Sequence, residues 1–251
     1  MMPQNASMAL SLAFSWRFTG AAYCWGDGWF GRLGYGDTDD SLVPTPVAGG
    51  LTFTAITAGN AHTCGLTTDG AAYCWGNGWD GQLGNGSNID ISLVPTPVAG
   101  GLTFTAISAG ADHTCGLSPA GAAYCWGHGG HGRLGTGDTA YHLVPEPVAG
   151  GFTFTDITAE ADHTCGLTPA GEAYCWGRGQ NGKLGSGDTD DQLVPTPVAG
   201  GLTFASISAG RAHSCGLTSS GAAYCWGNGE YGQLGNGDTE NRLVPTPVAA
   251  P

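Results

Sequence analysis

The chain has 251 residues, of which 46 are glycine and only 11% are charged, with seven Lys plus Arg against twenty Asp plus Glu giving a formal net charge of −13. So few basic residues, scattered from Arg17 to Arg242, exclude a phosphate-neutralising surface, and nucleic acid and anionic membrane surfaces are poor partners. The glycine content suits tight turns between short strands; no helix is expected, and no apolar run approaches the roughly eighteen residues of a membrane span, so no membrane insertion is expected.

Taken in order, the segment from Met1 to Phe14 carries no Lys or Arg before its short apolar run and makes a poor secretory signal. Leu10, Leu12, Phe14 and Trp16 alternate, so residues 9–17 are expected to form a strand pairing with residues 20–26, with Phe14 packed beside Cys24. A marker, Tyr-Cys-Trp-Gly, then recurs with its tyrosines at 23, 73, 124, 174 and 224, in steps of 50, 51, 50 and 50. The chain therefore reads as a single repeat domain, 1–251, of five units at about 20–67, 68–118, 119–168, 169–218 and 219–251. A full unit carries four β-like segments, as in Ala71–Gly76, Leu93–Val98, Thr103–Ile107 and His113–Leu117. Four short strands per unit, repeated radially, predict an all-β fold: a β-propeller of five four-stranded blades. Pairing of the N- and C-terminal segments through 9–17 is expected to close the ring; an open five-unit arc of a larger propeller is the alternative. Pro95 and Pro97 suit an outer edge strand, because proline cannot donate to a ladder.

The stretch from His62 to Gly76 recurs at 113–127, 163–177 and 213–227 and reads as a β-hairpin. Ser118-Pro119-Ala120-Gly121 places proline second in a type I turn and glycine where the chain must turn left-handed. That turn sets Thr67 opposite Ala71, Leu66 opposite Ala72, and Cys64 opposite Cys74. Disulfides are therefore predicted for Cys64–Cys74, Cys115–Cys125, Cys165–Cys175 and Cys215–Cys225, leaving Cys24 unpaired. Zinc is disfavoured, since cysteines ten apart lack the spacing of zinc knuckles. Eight paired cysteines point to an extracellular or periplasmic compartment, although no signal peptide is visible.

The pattern Gly-x-x-His-x-x-x-Leu, a turn, Gly-x-x-Tyr-x-Trp-Gly, then Gly-Gln-Leu-Gly-x-Gly and a Val-Pro runs from Gly59 through His62, Leu66, Gly70, Tyr73, Trp75, Gly76, Gly81, Gln82, Leu83, Gly84 and Gly86 to Pro95. It resembles the regulator of chromosome condensation repeat, over about residues 17–248, and the cysteine pairs resemble bacterial-type, disulfide-bearing variants of that family. The resemblance implies a β-propeller. It also brings in two regulatory roles known in the family, nucleotide exchange on a small GTPase and protein inhibition of an enzyme.

The repeats themselves show which positions vary. Variation gathers in the x-Gly-x-x segment after Trp-Gly, in the acidic loops such as 37–41 and 87–92, and in the pair before each repeated histidine, such as Asn60-Ala61. Equivalent positions on successive blades are expected to share one side of the ring. The predicted partner-binding residues are Trp29, Phe30, Trp79, Asp80, His128, His131, Tyr141, Gln180, Asn181, Glu230 and Tyr231, with the large aromatics as anchors. Neutral drift on exposed loops is the competing reading. His62, His113, His163 and His213 are expected to be structural, tying a backbone carbonyl between blades. His128, His131 and His142 form a looser trio in which only adventitious metal is conceivable, and no cofactor is expected. Gly26-Asp-Gly28-Trp-Phe-Gly31 matches a phosphate-loop pattern but no helix follows it, and no nucleophile elbow is present. The sequence thus predicts a non-enzymatic, monomeric binding module for a protein partner, with a glycan as the lesser partner class. An enzyme regulator, exchange factor or inhibitor, and a purely structural repeat of a longer surface protein are the alternatives.

Overall fold

A computed structural model describes residues 20–88 and 91–249. The described residues form antiparallel sheets joined by turns. β1 (Tyr23–Gly26) and β2 (Ser41–Pro46) make a two-stranded sheet. Four-stranded sheets follow in chain order: β3 (Phe53–Ala58), β4 (His62–Thr67), β5 (Ala72–Asn77) and β6 (Ile91–Pro97); then β7 (Ala106–Ala109), β8 (His113–Leu117), β9 (Ala123–Gly127) and β10 (His142–Pro147). The last two comprise β11 (Asp156–Ala159), β12 (His163–Leu167), β13 (Ala173–Gly177) and β14 (Gln192–Pro197), and β15 (Ser206–Ala209), β16 (His213–Leu217), β17 (Ala223–Gly227) and β18 (Arg242–Pro247). Each is a meander, and the first strands of successive sheets lie against one another, β3 on β7, β7 on β11 and β11 on β15. These are the blades of an all-β propeller of five units. A blade takes its inner strands from the end of one sequence repeat and its outer strands from the start of the next.

The hairpin register is the one the turn chemistry dictates: Leu66 pairs Ala72, Gly65 pairs Tyr73 and Cys64 pairs Cys74. Gly70 closes the turn at φ +82°, donating its N–H to Thr67 O, while Thr67 N–H bonds to Ala71 O. With the cysteines in register, their Cα atoms lie 4.1 Å apart, and all four pairs are disulfides. The prolines fall on the outermost strands, as in Pro95 and Pro97 of β6. The third segment differs from expectation. It begins at Ala106, not Thr103, because Phe104 N–H is taken by the Gly70 carbonyl of the preceding hairpin turn, so the chain bridges between blades before it joins a sheet.

The core lies between blades. Cys64, Leu66, Ala72, Cys74 and Leu83 of one blade enclose Phe104 and Trp126 of the next, and the same arrangement recurs at the following interfaces. The glycine in each His-Thr-Cys-Gly-Leu strand follows from this packing. A Cβ on Gly65 would stand 2.6 Å from the Phe53 ring, and one on Gly116 2.7 Å from the Phe104 ring.

The repeated histidines staple the blades. Fully buried His62 places Nε2 2.9 Å from Thr114 Oγ1 of the next blade, and Thr114 donates its proton to Gln82 O at 2.9 Å. His113 with Thr164 and Arg133 O, and His163 with Ser214 and Lys183 O, repeat the chain. A hydroxyl has one proton and a carbonyl can only accept, so the imidazole must donate from Nε2, leaving Nδ1 bare. The link is thus one step longer than the direct histidine-to-carbonyl tie expected from the sequence. Burial pushes His62 and His163 down to about 3 and His113 well below its ordinary range, so all three are neutral.

Side chains on the first and last sheets are more exposed than their counterparts between them. Leu217 is 43% exposed where its counterpart Leu66 is 2%, and Leu42 of β2 is 94% exposed. The strand at 9–17 expected to close the ring, with Phe14, lies outside the described residues. Cys24 is buried with Ala22, Leu33, Phe53 and Trp75, and its thiol is pushed up to about 11 by that burial.

Candidate functional site

The loop between the third and fourth strands of each blade and the short loop between the first and second strands of the next meet at one end of the blades. Arg32 Nη1 donates to Asn60 O at 3.0 Å, Arg133 Nη1 to Ala161 O at 3.1 Å, and Asn77 N–H to Ala61 O at 2.9 Å. The variable positions therefore gather on one rim.

What sits after the Trp-Gly marker is set by one residue that the sequence reading passed over. In three units this residue is Arg32, Arg133 or Lys183; the loop there is a single 3-10 turn whose middle residue, Phe30, His131 or Asn181, adopts φ of 62° to 64°. Arg32 Nε holds Trp29 O at 2.9 Å and Arg133 Nε holds Gly130 O at 3.0 Å, drawing the turn tight. Where the residue is Gln82 or Gln233, its side-chain oxygen accepts instead from Asp80 N–H at 2.9 Å or Tyr231 N–H at 2.8 Å. Left-handed backbone at Phe30 turns its ring between two tryptophans. It stacks on Trp29 at 4.6 Å between centroids and meets Trp79 of the next unit edge-on at 5.1 Å. Trp29 and Trp79 are nonetheless 63% and 51% exposed.

The third unit is mixed. Tyr141 occupies the position where other units carry Asp40, Asp191 or Asn241, whose side-chain oxygens accept from Gly28, Gly179 and Gly229 N–H at 2.9 to 3.0 Å. Freed from capping, the Tyr141 ring packs on His128 at 4.5 Å. His128 Nδ1 accepts from Gly130 N–H, and burial together with the Arg133 charge lowers its pKa. His131 instead reaches Asp191 of the next unit at 2.7 Å, and His142 lies 3.3 Å from Asp138. The three histidines thus have separate partners and do not converge.

In the last two units the rim is polar. Gln180, Asn181, Glu230, Asn228, Thr239, Glu240 and Asn241 line an open concavity, with Tyr231 standing 83% exposed beside it. Behind it Asp162 is clasped by Lys183 and by Arg178 at 3.2 Å; burial alone would raise its pKa, but the two cations hold it below the usual carboxylate range. On the other side, burial and the nearby Asp80 charge raise Asp112. The rim grades from aromatic at Trp29, Phe30 and Trp79, with Asp80 beside them, through His128, His131 and Tyr141, to amide and carboxylate at Gln180, Asn181 and Glu230. No described helix is long and apolar enough to cross a membrane.

Comparison with known proteins agrees with this architecture. Over 125 residues the chain is 36% identical to the ultraviolet-B receptor UVR8 of Arabidopsis thaliana, a match covering 48% of this chain and 28% of that protein. It is 34% identical over 124 residues to the human E3 ubiquitin-protein ligase HERC2, covering 47% of this chain and 2% of that protein. The chain thus matches about a quarter of the first relative's length and far less of the second's. Human WBSCR16 superposes with a TM-score of 0.82 at 24% identity, over 92% of this chain and 63% of that one. Prp20p of Saccharomyces cerevisiae superposes with a TM-score of 0.81 at 24% identity, over 92% and 59% of the two chains; at such identity these two likenesses carry the fold alone. The family model of the RCC1-like domain matches residues 4–251. On that match, and on the repeats and blades described above, the chain belongs to the RCC1-like domain family.

Proposed function

We propose that this chain is a non-catalytic protein-binding module that engages its partner through the variable rim, with Trp29, Phe30 and Trp79 as the anchoring patch. The observation that carries the reading is the contiguous ring contact across two units, left open to solvent. Three large rings in contact with one another, two of them more than half exposed, at low side-chain entropy, are the composition of an interface centre. Asp80, His128, His131, Tyr141, Gln180, Asn181, Glu230 and Tyr231 form the polar and aromatic surround. Relatives support a role of this kind, since UVR8 is a receptor and Prp20p has binding properties to Gsp1p and histones. For this chain the strongly acidic balance favours a partner with a basic or apolar docking surface. The four disulfides suggest an oxidising compartment, and we place the module outside the cytoplasm, in a periplasm or at the cell exterior.

The test is capture from the host's extracytoplasmic fraction with immobilised parent chain and with Trp29→Ala/Phe30→Ala/Trp79→Ala. Proteins retained by the parent should fall at least tenfold on the variant, while the variant keeps its far-ultraviolet spectrum. Equal retention on a folded variant removes the aromatic patch as the anchor.

A further inference from the structure

Between the third and fourth units the rim is closed by His131, whose Nδ1 meets Asp191 Oδ2 at 2.7 Å. Between the fourth and fifth units the equivalent positions hold Asn181 and Asn241, and their amides touch at only 3.4 Å. Beside that looser contact lies the polar concavity, with a volume of about 530 Å³, inside the roughly 300–1,000 Å³ of small-molecule sites. Its walls are the loops at 178–191 and 228–241, both described, so the space lies between two blades and owes nothing to the ends of the chain.

The walls are held in place by their own hydrogen bonds. Asn241 Oδ1 accepts from Gly229 N–H at 3.0 Å, and Asn228 Oδ1 accepts from Glu230 N–H at 3.1 Å and from Gln233 Nε2 at 2.6 Å. Those bonds spend the oxygens and leave other atoms free. Among the described residues, the whole Gln180 amide, Asn181 Nδ2, Asn228 Nδ2, the Glu230 carboxylate and the Thr239 hydroxyl have no protein partner.

That mixture of groups decides the class of ligand. No apolar or cationic side chain lines the space, so an apolar group gains nothing there, and Glu230 with Glu240 repels an anion. A metal ion needs several converging ligands; no group of three His, Cys, Asp or Glu side chains able to hold one occurs among the described residues, and Glu240 already meets Arg242 at 3.4 Å. A sugar hydroxyl both donates and accepts, so amide N–H groups beside a carboxylate satisfy neighbouring hydroxyls together. We propose that the concavity between the fourth and fifth units binds a neutral saccharide through Gln180, Asn181, Asn228, Glu230 and Thr239. The bonds that already fix Asn228 and Asn241 lower the cost of ordering the site. This site goes beyond the protein-binding role and does not depend on the aromatic patch.

The test is a titration of the full 251-residue chain, labelled with nitrogen-15 and followed by the side-chain amide NMR signals of Gln180, Asn181 and Asn228. The probes are methyl β-glucoside, methyl α-mannoside and N-acetylglucosamine, with glucuronate as the charged control and tri-alanine as the peptide control. At least one neutral sugar is expected to shift these amides and saturate them at about 1–10 mM, with glucuronate weaker. Gln180→Ala and Glu230→Ala remove exposed side chains that bond to nothing in the fold, so both variants should keep the parent's far-ultraviolet spectrum. Each should weaken binding of that sugar about tenfold, read on the remaining amides. No shift from any of the three sugars overturns the proposal. So do shifts from tri-alanine alone, glucuronate binding as tightly as the neutral sugars, or folded variants that bind as the parent does.

Discussion

Removing one hydroxyl from the histidine staple should cost more at one interface than at the next, for a reason visible in the neighbouring indole. Thr114→Val deletes the acceptor of the His62 Nε2 proton, but Gln82 O keeps the Trp126 Nε1 donor at 3.0 Å, so one buried group is orphaned. Thr164→Val orphans two, because the Trp176 indole N–H bonds to nothing and Arg133 O loses its Thr164 donor. Valine fits a strand and nearly matches threonine in volume, so the cost is chiefly that of unsatisfied polar groups. At roughly 1–3 kcal/mol for each such group, Thr114→Val should lose about 2 kcal/mol and Thr164→Val about 4 kcal/mol. For a chain of this length each kcal/mol lowers Tm by about 2–4 °C, so the two variants should separate by several degrees. Urea unfolding followed by tryptophan emission and by circular dichroism at pH 7.5 would read both, with Thr246→Val on an exposed strand as the control, expected within about 0.5 kcal/mol of parent. The staple account fails if Thr164→Val unfolds with the control, or if Thr114→Val is the more damaging of the two.

Acid should loosen the same staples. The folded pKa of His62 and His163 is about 3, against an ordinary value of 6.5, so the unfolded chain binds the extra protons and stability falls as pH drops below about 6.5. Each buried histidine removes up to about 1.4 kcal/mol per pH unit in that window, and a urea midpoint unchanged between pH 7.5 and pH 5 would contradict it. Gly116→Ala should cost about 1–3 kcal/mol by driving a methyl into the Phe104 ring, read as a lower Tm; an unshifted Tm would show that the ring yields freely. Cys24, buried with its thiol raised to about 11, should resist alkylation in the native chain and react once urea opens it, while non-reducing peptide mapping returns the four hairpin disulfides. Native labelling of Cys24, or a disulfide joining different units, would count against the packing described.

Much of the fold was legible because short-range turn chemistry carries it. Proline and glycine around Ser118 fix the hairpin, the hairpin fixes the cysteine register, and paired prolines mark the outer strand. What escaped was set by residues more than thirty positions away in the chain. The start of β7 is moved by Phe104 bonding to the Gly70 turn, and the histidine staple needs Thr114, 52 residues beyond His62. On the rim, sequence reasoning could name the aromatic residues as variable, but their contact depends on the left-handed backbone of Phe30 and the Arg32 side chain that braces it. The alternation of Arg or Lys with Gln at that position was the one available signal. Tyr141 was legible as an anchor, yet its ring is free because it replaces a capping Asp or Asn, a substitution visible only once the capping bonds are known.

The central claim is that sameness between units builds the body and that the variable rim does the work. Hydrogen–deuterium exchange on the chain, alone and saturated with a captured partner, tests it most directly. The account predicts new protection confined to the rim loops around residues 27–40, 77–88 and 128–141, strongest at Trp29 to Phe30 and Trp79. Protection on the outer edge strands β2, β6 and β10 with the rim loops unchanged would contradict it.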